Sequence, residues 1–155
     1  MEYQIGGWLS MQKNDLIHNN DTIFRILAIN DSEALVMDCL KRNMPLWCNI
    51  ASIESFAPCT EQEQAEQTDV ELFDIESLDA AKRKIVHDRY TIIAGVLPFI
   101  SDDKMRNLVI TRIADEHEIC KQTVRNYLCL YLAYQDISAL APKRNKEDTP
   151  LTKDE

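Results

Sequence analysis

IADEHEICKQTVRNYL, residues 113–128, is the stretch on which the fold turns. Its spacing predicts two helices joined by a short turn. Ile113 and Ala114 close the apolar side of the first helix, and Glu118, Ile119 and Cys120 form the turn. The second helix then places Val124, Tyr127 and Leu128 inward. Lys121, Gln122, Arg125 and Asn126 fall on its outward face. Ala114 is small where two helices approach closely, and Ile119 plugs the turn. Val124 packs back on the first helix, an arrangement that sets helices at roughly 90–120° to one another. This is the pattern of a helix-turn-helix, and its outward side chains suit nucleic acid. Lys121 or Arg125 can pair with guanine O6 and N7, Gln122 or Asn126 with adenine, and Thr123 with a phosphate. The helix N-terminus near Lys121 adds backbone donors and partial positive charge. Two features depart from the pattern. The turn commonly carries glycine where this chain has Glu118, which requires φ to stay negative or the strain to be absorbed elsewhere. Asp115, Glu116 and Glu118 also stand close to where a phosphate would pass. A plain helical hairpin with a polar surface is the competing reading.

Upstream of this stretch the helical period begins at Ser77, an N-cap with Asp79 in the first turn. Ile85, Tyr90, Ile93 and Val96 or Leu97 form an apolar stripe, with Lys82, Arg83, Lys84 and Arg89 mainly outside it. Pro98 ends or kinks that helix. Ser101 or Asp102 caps the next one, Lys104 to about His117, with Met105, Leu108, Val109, Arg112 and Ile113 partly inward. The last helix runs from about Lys121 to Gln135, its apolar face extended by Leu128, Tyr131 and Leu132. Residues 142–155, rich in charge and holding two prolines, read as a disordered tail.

The N-terminal half reads differently. Trp8 and Leu9 suit a short strand, and Leu16 to His18 precede an Asn19-Asn20-Asp21 turn. Ile23 to Ile29 are rich in β-branched and aromatic residues, and Asn30-Asp31-Ser32 supply turn chemistry. Glu33 to Cys39 complete a hairpin. Ile23, Arg25 and Leu27 share one face and Phe24, Ile26 and Ala28 the other, so a strand apolar on both sides is expected at the centre of a small sheet. Leu46 to Ile50 supply a further strand. Residues 60–76 hold six acidic side chains between Glu61 and Asp74 and read as a solvated acidic linker. A mimic of DNA lying on the basic face is the sharper alternative. The expected fold class is α+β: a small antiparallel β module (1–59), the linker (60–76), and a three-helix, helix-turn-helix domain (77–141).

The net charge of −9 is unevenly spread. Residues 1–81 carry 4 basic and 15 acidic side chains, whereas residues 82–130 carry 9 basic and 6 acidic ones. Positive charge therefore gathers around the helix-turn-helix, and weak DNA binding by this chain alone is expected. The five cysteines, at 39, 48, 59, 120 and 129, are scattered, with no C-x-x-C pair. They suit buried thiols in a reducing compartment better than a disulfide or zinc framework. His117 and Cys120 share a spacing but lack further ligands. No phosphate-cradling glycine loop is present and the three histidines lie in unrelated contexts, so no active site is visible and no cofactor is expected. No apolar run approaches the roughly 20 residues of a membrane span, and the start lacks the layout of a signal peptide. A cytoplasmic location without membrane contact is expected.

The ordered set of segments resembles the N-terminal region of TnsB, the DDE transposase of Tns-type transposons, related to Mu transposase and retroviral integrases. The resemblance spans about residues 20–145. It rests on Phe24-Arg25-Ile26-Leu27-Ala28-Ile29, a helix ending Leu97-Pro98-Phe99-Ile100, the helix-turn-helix, Tyr127-Leu128-x-x-Tyr131, and Ala139-Leu140-Ala141-Pro142. It implies sequence-specific binding to transposon ends, with other transposition proteins as further partners. The chain is expected to stop before the RNase H-like catalytic domain, where a divalent metal such as Mg2+ would be held. Residue by residue it implies that Lys121, Gln122, Thr123, Arg125 and Asn126 face DNA, with Lys104 and Arg106 on its backbone. Cys120 departs from the usual serine or threonine, and Leu132-Ala133 from the usual Trp-Gln. The alternatives are a stand-alone helix-turn-helix transcriptional regulator and a protein-interaction module.

Overall fold

A computed structural model describes the backbone of residues 3–5 and 9–142, and the side chains from Met11 onward. Trp8 and the tail beyond Pro142 lie outside the described residues. The chain is α+β: a five-stranded antiparallel sheet followed by helices. A separate two-stranded ladder pairs β1 (Tyr3–Ile5) with β2 (Leu9–Met11). The main sheet runs β6-β5-β4-β3-β7, where β3 is Leu16–His18, β4 Ile23–Ile29, β5 Glu33–Asp38, β6 Leu46–Asn49 and β7 Ala57–Cys59. Asn19 and Asn30 close the two tight connections as expected. The Asn30 side-chain oxygen accepts from the N–H of Ser32 and Glu33 at 3.0 and 2.7 Å, and Asn19 does the same for Asp21 and Thr22.

β4 is the central strand, and both of its faces are covered. A bulge at Leu27, between the Ile26–Val36 and Ala28–Leu35 pairs, changes which face the later residues reach. Ile23, Leu27 and Ala28 therefore all lie against the helices, while Ile26 packs into a second cluster with Met11, Ile17, Val36, Ile50 and Ile53. One extra residue in a strand shifts the alternation in this way.

Four helices follow the sheet: α1 (Glu61–Gln67), α2 (Ala80–Ala94), α3 (Asp103–His117) and α4 (Lys121–Tyr134). Leu16, Leu35, Met37 and Cys39 of the sheet share one buried cluster with Val86, Ile93, Ile110, Leu128 and Leu132 of the helices. The β module and helical domain expected from sequence are thus joined through a common core. A sheet strand apolar on both faces needs cover on both, and the helices supply one of them.

Residues 60–76 are not a solvated linker throughout. Thr60 and Glu63 form a reciprocal capping box at the start of α1, which stabilises a short helix by satisfying two orphan N–H groups. On its inner side Gln64 is buried, and Val70, Ile75 and Leu78 pack on the core. The sequence places six carboxylates here because only the outer face of this segment meets water.

Helix starts and phases differ from expectation in three places. Asp79, not Ser77, caps α2, accepting from the Lys82 N–H at 2.8 Å. α2 ends at Ala94, and Pro98 sits in a 3-10 turn, Leu97–Phe99. Asp102, one of the two expected candidates, caps α3 through the Met105 N–H. The inward stripe of α3 is Arg106, Val109, Ile110, Ile113 and Ala114, while Met105, Leu108 and Arg112 are exposed. Apolar residues occur on both sides of α3, so spacing alone permits either phase.

Candidate nucleic-acid interface

α3 and α4 are joined by three residues, and the joint is a Schellman turn. The Ile119 N–H donates to Ala114 O at 3.0 Å and the Glu118 N–H to Asp115 O at 3.3 Å, which satisfies carbonyls the helix end would otherwise leave open. Ile119 packs on the core beside buried Ala114, as expected of the plug. The turn requires a left-handed residue, and Glu118 supplies it with φ 57° and ψ 43°. Of the two alternatives, a negative φ or strain absorbed elsewhere, the second holds: the chain accepts a conformation in which a side chain costs roughly 1–2 kcal/mol. Glu118→Gly is therefore expected to stabilise the fold by about 1 kcal/mol after the entropy lost to the freer unfolded chain. A thermal melt checks this. The midpoint should rise by about 2–4 °C, and a fall would show that the glutamate side chain has a stabilising role.

Val124, Leu128, Cys129, Leu132, Ala133 and Tyr134 are the buried residues of α4. That stripe runs the length of the helix, from Val124 to Tyr134, and seats one face of it, while the other face of its first two turns stays outward. Lys121, Gln122 and Asn126 are exposed, and Thr123 and Arg125 half-buried. The Gln122 side-chain N–H donates to Asn126 Oδ1 at 2.9 Å. This leaves an acceptor on Gln122 and a donor on Asn126, the two groups that an adenine edge satisfies. Cys120 occupies the N-cap position, its Sγ 3.2 Å from Thr123 Oγ1. The Thr123 hydroxyl, with backbone N–H groups of the first turn, holds the Cys120 thiol below its usual pKa. Thr123 therefore already has a local partner.

The far end of α4 is tied down from beneath. Ala133 O, a terminal helix carbonyl, accepts from Arg25 Nε at 3.1 Å and from Gln64 Nε2 at 2.6 Å. Arg25, 2% exposed, also donates to Asn14 O at 2.7 Å and to both carboxylate oxygens of Glu61 at 2.9 and 3.0 Å. A cation at a helix C-terminus is favoured by the helix dipole, so β4, α1 and α4 meet at one charged knot. On the other side Arg89 lies over the Tyr127 ring at 4.9 Å and donates to Leu140 O at 2.9 Å. Tyr90 meets Tyr131 edge to face.

Of the seven residues expected at the interface, five stand together on the first two turns of α4. Lys104 is exposed but lies on the first turn of α3, about 20 Å along that helix from the joint. Arg106 is corrected outright. It is 5% exposed, donates to Ile100 O at 2.6 Å and Pro45 O at 3.5 Å, and pairs with Asp103 at 2.9 Å. Its guanidinium stitches α3 to the sheet and does not reach a DNA backbone. Spacing missed two basic residues, Lys41 and Arg42, on the β5–β6 connection. They border the same hollow of about 440 Å³ as Asn126 and Leu130. The signal for them was compositional: two of the 4 basic residues among the first 81 are adjacent.

Asp115, Glu116 and Glu118 are exposed beside the turn. Among the described residues, no three His, Cys, Asp or Glu side chains gather as a metal site, and no helix is long and apolar enough to cross a membrane. No protein-family model matches this chain, and no curated protein sequence does either.

Proposed function

We propose that α3 and α4 form a helix-turn-helix that binds double-stranded DNA through the first two turns of α4. The chain then serves as the end-recognising N-terminal part of a TnsB-like transposase. One observation carries the reading: a helix seated by one apolar face, from Val124 to Tyr134, leaves Lys121, Gln122 and Asn126 exposed and Arg125 half-exposed on its first two turns. Such a helix positions itself by phosphate contacts and reads sequence by base edges. The resemblance to TnsB adds the biological setting, transposon ends and partner transposition proteins. In such an enzyme the acidic residues and their divalent metal belong to the catalytic domain, and the part proposed for α4 is recognition.

The charge of the whole chain opposes DNA, so free-chain affinity is modest and falls steeply with salt. Titration of a fluorescent mixed-sequence duplex at low salt tests the reading. Binding that weakens linearly in log Kd against log salt is expected. No binding to mixed-sequence or transposon-end duplexes at low salt would overturn it in favour of a protein-interaction module.

A further inference from the structure

Resting on the DNA reading above, we infer that the β5–β6 connection is a second DNA contact. It is a basic loop that holds the phosphate backbone beside α4. Residues 1–81 carry only Lys13, Arg25, Lys41 and Arg42 as basic side chains, against 15 acidic ones. Arg25 is internal, so two of the three remaining cations lie adjacent in this one loop.

The loop is shaped before any ligand arrives. The Asp38 carboxylate accepts from the N–H groups of Leu40 and Lys41 at 3.0 and 2.9 Å, and the Arg42 N–H donates to Asp38 O at 2.7 Å. Arg42 takes a left-handed φ of 55°, a conformation that costs energy for a residue with a side chain and that concentrates at working sites.

The loop is also seated on α4 itself: Met44 Sδ is 3.6 Å from Cys129 Sγ. Lys41 and Arg42 thus share a hollow with Asn126, one turn along from Lys121 and Gln122. Asp69 and Glu71 border the same hollow, and Asp69 pairs with Arg42 at 3.6 Å. That pair is solvent-exposed on the aspartate side, so it is weak, and a phosphate can replace the carboxylate. The acidic segment thereby competes with DNA for Arg42.

The test is the salt dependence of binding to a mixed-sequence duplex, with far-UV circular dichroism confirming the fold. The Lys41→Gln, Arg42→Asn double variant keeps a residue that tolerates the left-handed position. It should bind more weakly and lower the log–log salt slope by about 2, roughly 0.9 for each phosphate left unneutralised. Sequence preference should not change, because phosphate contacts carry none. Lys41→Glu alone, at an exposed position, should weaken binding further than Lys41→Gln, and Asp69→Asn should strengthen it. An unchanged slope in the double variant and unchanged affinity in Lys41→Glu would overturn the loop contact. If the Lys121 and Arg125 variants lose binding in that same set, the α4 reading stands without the loop. If the unmodified chain binds no duplex at low salt, the DNA reading itself falls and the loop falls with it.

Discussion

Replacing Lys121 and Arg125 together by alanine is expected to weaken duplex binding by at least about thirty-fold while leaving the fold intact. Each well-placed cation on a base edge or phosphate is worth about 1–3 kcal/mol, so removing two costs about 2 kcal/mol even at the low end. The positions allow a clean experiment. Lys121 is exposed and Arg125 half-buried, whereas the residues that seat α4 are Val124, Leu128, Leu132 and their neighbours. Alanine is also the best helix former, so the helix itself should not weaken. Titrations across salt should show the slope falling by about 2 for the two deleted charges. If affinity and slope stay unchanged while circular dichroism shows the helices in place, α4 is not the DNA-facing helix.

Arg25→Met is expected to be strongly damaging for stability, at roughly 3 kcal/mol. The methionine fills part of the volume but removes every hydrogen bond of the guanidinium, leaving Asn14 O without its donor and Ala133 O with Gln64 and the weak Cys39 thiol. A buried polar group stripped of its partner costs about 1–3 kcal/mol, and losing one side of a buried pair about 3–5 kcal/mol. The lower value applies because Glu61 is 66% exposed and water can solvate it once the arginine is gone. For the same reason Glu61→Gln should cost no more than about 1 kcal/mol. Urea unfolding of both variants checks the pair. Equal losses would mean that the ion pair, and not the carbonyls at the end of α4, dominates the knot.

Strands β3 to β6 and the last helix were legible because their patterns are unambiguous, whereas β1 and the Pro58-containing β7 were not. Ile23–Ile29 has β-branched density and an Asn30 turn, and α4 has a single apolar stripe. The phase of α3 was not legible, since Met105 and Leu108 compete with Val109 and Ile110, and an arginine was the residue turned inward. Arginine on the inner face is physically reasonable only once Ile100 O and Pro45 O are known to await it, and those carbonyls are brought to it only by the fold. The same holds for residues 60–76. Their charge predicts water on all sides, yet Gln64 is buried because Ala133 O needs a second donor. The shared core was half visible, as β4 is apolar on both faces. That the helices cover one face is a fact of tertiary packing. Glu118 was recognised as the awkward turn residue, but its left-handed φ follows from the Schellman geometry, which outweighs a side chain's local preference.

The measurement that bears most directly on DNA recognition by α4 is an amide chemical-shift map of the chain titrated with duplex DNA. The largest changes are expected on Lys121–Asn126, with a second set at Lys41–Asn43 and little at Arg106. Changes confined to the outer face of α3 around Met105 and Leu108, with α4 silent, would contradict it.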